Sequence, residues 1–254
     1  MRATAAIDTG VVRLCNGRID RRWSTYTGAT MELYLGGNSE DCLTRKSPEY
    51  HLDYAARPLC AADLGDVSWS EARSGMGAAV IMEQRGPGVA LRLHTVLAHD
   101  RPWMARQLEV TNTGRETVSI TRAAADVLPV DPDRFRLPDR ASRSTSRIAV
   151  RSQKGIYHYD ALEGGHGTLL LGARADHQLA LYAPNPRFCA PVWTGSVPLA
   201  PGKTWSAPPV MLYWAAGPPD DATSDELQDL HATWQRNSEP GLTGTGSLNI
   251  GPHT

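Results

Sequence analysis

His158 and His166 lie in Tyr157-His-Tyr159 and Gly165-His-Gly167, and an imidazole at either place is a candidate general acid near neutral pH. Around them stand residues of the types that hold a sugar: Arg22, Trp23, Trp103, Arg106, His158 and Trp193. Indole rings cover the apolar side of a pyranose, while Arg and His bond hydroxyls in the ring plane, where an unpaired polar group is costly. Alternation puts Tyr157 and Tyr159 on one strand face and His158 on the other, so the three cannot all meet one ligand.

Carboxylates are harder to place. Glycoside hydrolysis needs two of them flanking one bond, roughly 5–10 Å apart. Glu109, Asp126 and Asp131 have no spacing that selects a pair, and ion pairs at a sandwich edge account for them equally well. The late strand-like run Val210–Trp214 contains no carboxylate, and after Glu163 only Glu226 and Glu239 remain. Metal ligation has no third partner: His94 with His99, and His51 with Asp53, are pairs only. Gly164-Gly-His-Gly lacks the Lys-Ser/Thr of a phosphate loop and precedes a strand. The expected metal and cofactor complement is therefore none.

The 254 residues carry 26 Lys+Arg against 27 Asp+Glu, a net charge of −1. That balance gives no general electrostatic reason to expect nucleic acid or an anionic membrane as partner. Cys15, Cys42, Cys60 and Cys189 form no C-x-x-C pair, and isolated thiols are expected. Met1-Arg-Ala-Thr-Ala-Ala-Ile-Asp8 has no apolar core of a signal peptide, and no apolar run approaches the ~18 residues of a membrane helix. The expectation is a cytoplasmic protein.

Turn-formers such as Gly36-Gly-Asn, Arg85-Gly-Pro-Gly and Pro184-Asn-Pro separate short β-prone runs, which predicts an all-β antiparallel sandwich. Expected strands are Val11–Cys15, Arg18–Ser24, Met31–Tyr34, Gly77–Glu83, Val89–Ala98 and Met104–Asn112. They continue with Glu116–Leu128, Ser146–Arg151, Thr168–Arg174, Gln178–Ala183 and Val210–Trp214. Asn16-Gly17 predicts a type I′ hairpin turn. One helix is expected over 224–236, capped by Ser224 and presenting Leu227, Leu230, His231 and Trp234 on one face. Residues 1–238 read as one domain, 239–254 as a flexible tail, and Asp131–Ser144 as an insertion or lid.

Several segments together carry a resemblance. They are Asn16-Gly-Arg-Ile-Asp-Arg-Arg-Trp23, Arg101-Pro-Trp-Met-Ala-Arg-Gln-Leu-Glu-Val-Thr-Asn-Thr-Gly114, Tyr157-His-Tyr159, Gly165–Gly172 and Pro201–Tyr213. In this order they resemble the N-terminal β-supersandwich domain of melibiase-type α-galactosidases, part of the galactose-mutarotase-like superfamily. The resemblance implies a large antiparallel sandwich closed by a helix. In those glycosidases a following (β/α)8 barrel carries the catalytic carboxylates, whereas this sequence ends where that barrel would begin. In aldose 1-epimerases of the same fold a His and a late-strand Glu do the chemistry, and the Glu has no counterpart here.

The leading expectation is a carbohydrate-binding sandwich without a complete catalytic site of its own. It would act as an accessory to a glycosidase, beside a separate catalytic chain or through self-association. A sugar-active enzyme, an epimerase-like isomerase or a lyase using His158 or His166 with an Arg, is the alternative. A structural domain that binds a partner chain is the third.

Overall fold

Burial alternates along Ile19–Ser24: Ile19, Arg21 and Trp23 are enclosed, while Asp20 and Arg22 are half-buried. That period of two marks a strand with one face in a core. The computed structural model describes residues 1–131, 133–136, 147–152, 155–174, 177–182 and 188–237. Most of Asp131–Ser144 and all of 239–254 lie outside them.

The first four strands, β1 (Thr4–Asp8), β2 (Val11–Cys15), β3 (Ile19–Ser24) and β4 (Thr30–Leu35), form one sheet in sequence order. The chain continues through β5 (Glu49–Tyr54), β6 (Arg57–Leu59), β7 (Gly65–Arg73), β8 (Gly77–Gly86) and β9 (Val89–Ala98). Next come β10 (Trp103–Asn112), β11 (Val118–Val127), β12 (Phe135–Arg136), β13 (Arg147–Ser152), β14 (Gly155–Gly164) and β15 (Gly167–Arg174). The last are β16 (His177–Tyr182), β17 (Phe188–Leu199), β18 (Thr204–Ser206), β19 (Val210–Ala215) and the helix α1 (Asp221–Asn237). A ten-stranded sheet runs β12-β14-β15-β19-β10-β9-β8-β7, with β13 on β14 and β18 on β10, and a five-stranded sheet runs β16-β17-β11-β5-β6.

The two smaller sheets lie on one face of the large sheet, and α1 lies on the other. Leu91, Leu93 and Leu97 of β9 point to the first face. Leu91 and Leu93 share a core with Leu52, Ile120 and Ala123, and Leu97 shares another with Val12, Leu14, Leu33 and Leu35. Val96 and Ala98 point the other way, into a core with Trp103, Tyr159, Met211, Leu227, Leu230 and Trp234. Each fully buried Leu or Val contributes ~1.5–3 kcal/mol of transfer free energy. No helix among the described residues is long and apolar enough to cross a membrane.

The expected all-β sandwich with one C-terminal helix is observed, with local corrections. In the hairpin at Asn16-Gly17, Gly17 has a φ of +80° and Asn16 is not in the positive-φ region, so the turn is not type I′. Asn16 is instead buried, its amide donating to the carbonyls of Ala98 (2.9 Å) and Arg101 (2.6 Å), which ties the hairpin to the β9–β10 corner. The helix starts about a turn before Ser224. Asp220 Oδ1 accepts bonds from the Thr223 amide and hydroxyl, both at 2.8 Å, and this acceptor-only side chain outcompetes Ser224 as the cap. β17 runs through Pro191, Gly195 and Pro198, residues that predict a break; a register shift against β11 absorbs the irregularity.

Candidate functional site

Two of the sequence-selected residues, Trp23 and Arg106, meet in the interior. Arg21 forks onto Asp126 with two bonds of 2.9 Å, and Arg106 Nη1 donates to the same carboxylate at 2.6 Å. Arg106 also pairs with Glu49, which accepts the Trp23 indole N–H at 2.9 Å and the Thr30 amide at 2.6 Å. Two guanidinium groups thus face two carboxylates, with no residue of the four more than 2% exposed. The group joins β3, β5, β10 and β11, and so all three sheets, at the line between the two inner cores. Burial works against ionisation of Asp126, but Arg106 and Arg21 outweigh it and hold the carboxyl below its ordinary range. Asp126 is therefore not a sandwich-edge ion pair, and neither Trp23 nor Arg106 offers a surface to a sugar. Glu49 has a φ of +67°, a backbone cost tolerated because its carboxylate is held from three sides.

The opposite face of the large sheet is polar where α1 does not cover it. Cross-strand register sets His94 beside Gln107, and Arg92 beside both Glu83 and Glu109. Glu109 in turn lies beside Ser206. His94 Nε2 lies 3.2 Å from Glu109 Oε2, and Arg92 Nε lies 2.8 Å from Glu83. Burial disfavours the Glu109 charge, but His94 and then Arg92 overcome this and hold its pKa low. Glu109 sits in mid-sheet, not at an edge.

Trp103 is fully enclosed under α1, its ring 5.5 Å from that of Trp234 in an edge-on arrangement. It holds the helix rather than a ligand. Further latches are Tyr213 Oη to Glu226 (2.6 Å), Arg101 to Glu226 (2.8 Å) and Tyr159 Oη to His231 Nε2 (2.8 Å). Burial lowers the His231 pKa to about 4. Unfolding returns the ring to its ordinary value of 6.5, so the unfolded chain takes up a proton between these limits and stability rises with pH across that window. The urea midpoint is expected to climb between pH 5 and 6.5, with a shallower climb in His231→Gln. Identical slopes in the two proteins would contradict this role for His231.

A cleft of about 400 Å³ opens beside α1 at the margin of the large sheet, lined by outer-face residues and by Trp193 and Trp205, which also pack on the inner core. Trp193 of β17 and Trp205 of β18 form one wall, their rings 4.8 Å apart and tilted by 47°. Tyr157 of β14 and Trp234 of α1 also line it. Gln107, Arg174 and Ser206 supply polar groups, with Gln107 braced by a 3.1 Å bond from its amide to the Ala207 carbonyl. Of the residues weighed from the sequence as sugar-binding types, Trp193 and Tyr157 line this cleft.

The others are dispersed. Arg22 lies on the outer face of the four-stranded sheet, 5.0 Å over the Tyr34 ring and paired with Asp20 and Glu32. His158 is half-buried on the face of β14 opposite Tyr157 and Tyr159, as alternation requires. His166 is exposed in the β14–β15 turn and lines a separate groove with Glu40, Arg134 and Trp214. Of the histidines weighed as metal ligands, His51 bonds Asp53 at 2.9 Å and His99 accepts the Ala3 amide at 3.0 Å. No group of three or more candidate metal ligands occurs among the described residues. Cys42 and Cys189 are buried, and none of the four cysteines is in a disulfide.

The backbone superposes on a family 36 α-galactosidase, AgaB from Geobacillus stearothermophilus, with a TM-score of 0.53. The alignment covers 85% of this chain and 41% of that one at 12% identity. The galactosidase domain of the α-galactosidase–sucrose kinase AgaSK gives a TM-score of 0.52, covering 84% and 42% at 10% identity. The fold is the galactose-mutarotase-like β-supersandwich. This supersandwich spans about two fifths of the length of either relative. No protein-family model matches the sequence, and no curated protein does.

Proposed function

We propose that this supersandwich binds carbohydrate in the cleft beside α1 at the margin of the large sheet. The observation that carries the reading is the composition of the cleft: Trp193, Trp205, Trp234 and Tyr157 converge with Gln107, Arg174 and Ser206. Aromatic rings bury the C–H face of a pyranose, and the polar groups pair with its hydroxyls so that none is desolvated alone. Trp193 and Trp205 are partly buried against the inner core and against each other, and both line the cleft. The fold adds support, since the α-galactosidases that share it act on sugars and carry it as part of a longer chain. On this reading the sandwich is an accessory that supplies binding to a glycosidase.

Thermal unfolding against a panel of galactosides and glucosides tests the proposal, because a ligand selective for the folded state raises its stability. Trp193→Ala and Trp205→Ala are each expected to weaken binding roughly tenfold, about 1.4 kcal/mol, and also to lower the unligated midpoint, because both rings pack on the inner core. No shift with any sugar at millimolar concentration, or full affinity in both variants, would remove the cleft from consideration.

A further inference from the structure

We propose that the β10–β18 wall of the cleft selects sugars by two hydroxyl protons of one ring, with Gln107 and Ser206 as the acceptors; this rests on the cleft being the sugar site. Both side chains line the cleft. Register sets Ser206 opposite Glu109, two residues along β10 from Gln107. Gln107 and Ser206 are therefore diagonal neighbours on one sheet face, roughly 7–8 Å apart at Cα, which one pyranose ring spans.

Each side chain has a donor committed inside the fold. The Gln107 amide donates to the Ala207 carbonyl at 3.1 Å. A carbonyl only accepts, so this bond fixes which end of the side chain is nitrogen and turns Oε1 the other way. Nothing among the described residues donates to that oxygen. Ser206 bonds the carboxylate of Glu109. Glu109 is buried and held in place, with His94 Nε2 at 3.2 Å and Arg92 Nη1 at 3.9 Å from its Oε2. An ionised carboxylate has no proton to give, so the Ser206 hydroxyl is the donor and only its lone pairs remain for a ligand. Gln107 keeps a second N–H; Ser206 keeps none.

A ligand oxygen without a proton, set against either acceptor, would place lone pair against lone pair and leave both desolvated, which is costly. The ligand class that fits this wall is a pyranoside with free hydroxyls at two ring positions. The same sugar with fluorine in place of either hydroxyl fills the space and lacks the proton. Glu109 touches no ligand; it is a positioning residue that sets the polarity of Ser206.

Calorimetric titration of the full chain with methyl galactoside, methyl glucoside and their monodeoxyfluoro congeners tests this. For whichever parent sugar binds, fluorine at two ring positions is expected to lower affinity by up to about tenfold. Ser206→Ala should abolish the penalty at one of these positions and Gln107→Met the penalty at the other. Glu109→Gln introduces a side chain that also donates, which releases the Ser206 proton, so it should narrow the same penalty as Ser206→Ala. A purely structural role for Glu109 would leave that ratio unchanged. Fluorine tolerated at every position would overturn the inference while sparing the cleft, because the parent sugar still binds. So would penalties that survive both Ser206→Ala and Gln107→Met. If a variant fails to fold, the wild-type fluorine series still decides: two penalised positions support the inference, and none overturns it. If no sugar binds, the cleft reading fails and this inference goes with it.

Discussion

Asp126→Ala is expected to destabilise the protein by about 3–5 kcal/mol, because it leaves two buried guanidinium groups facing a single carboxylate. Arg21 and Arg106 both bond Asp126, and neither has a route to water. Arg106→Met should cost a comparable amount, since it strands Asp126 and Glu49 in the same dry space. Combining Arg106→Met with Asp126→Asn should cost less than the sum of the single changes, because these residues share one network. The pH dependence follows from the sign of the shift. The Asp126 pKa is depressed in the fold, so its stabilisation is present above the ordinary carboxylate range and is lost as pH falls through the folded-state value. Urea unfolding at neutral and acid pH measures both effects. A loss below 1 kcal/mol in Asp126→Ala would mean that the three sheets do not depend on this ionic centre.

The second large effect is at Trp103. Trp103→Ala removes an enclosed indole that packs on Trp234, and a cost of about 3–5 kcal/mol is expected. Its consequence reaches the cleft, because Trp234 belongs both to the helix contact and to the cleft lining. Sugar affinity should therefore fall in Trp103→Ala, although Trp103 itself touches no ligand. Trp23→Phe provides the contrast, since Trp23 bonds Glu49 in the other core: it should lose stability and keep affinity in the fraction that remains folded. A Trp103→Ala protein with wild-type midpoint and affinity would contradict the helix-docking role.

Much of the scaffold was legible because alternation is a strong signal when one sheet face is buried. Val89–Ala98 was expected at the bounds observed, and β10 begins one residue before the expected Met104. Leu227, Leu230, His231 and Trp234 do form the buried face of the helix. The expected series omitted β1, β5, β6, β7, β12, β14, β17 and β18, although alternation at Tyr157–Tyr159 already placed a strand within β14. Pro191 and Pro198 masked β17, and β7 carries exposed and half-buried residues that weaken the pattern.

The site was read less well, for a physical reason. Its lining comes from β10, β14, β15, β17, β18 and α1, and no sequence spacing encodes that convergence. Residue type alone selected Trp23, Trp103 and Arg106, which the fold uses internally. One signal was available: Ile19, Arg21 and Trp23 share a strand face, so an arginine was already placed among core residues and required a buried anion. Glu49 and Asp126 are that anion pair. Choosing Arg22 over Arg21 selected the outward face.

The most direct test of the central claim uses the seven tryptophans as reporters. Indole N–H resonances, assigned by single substitutions, would be followed by NMR during titration with galactose and galacturonate. The account predicts that Trp193, Trp205 and Trp234 move with one common dissociation constant while Trp23 stays fixed. Shifts confined to Trp214, in the groove beside His166, or no shift at saturating sugar, would contradict it.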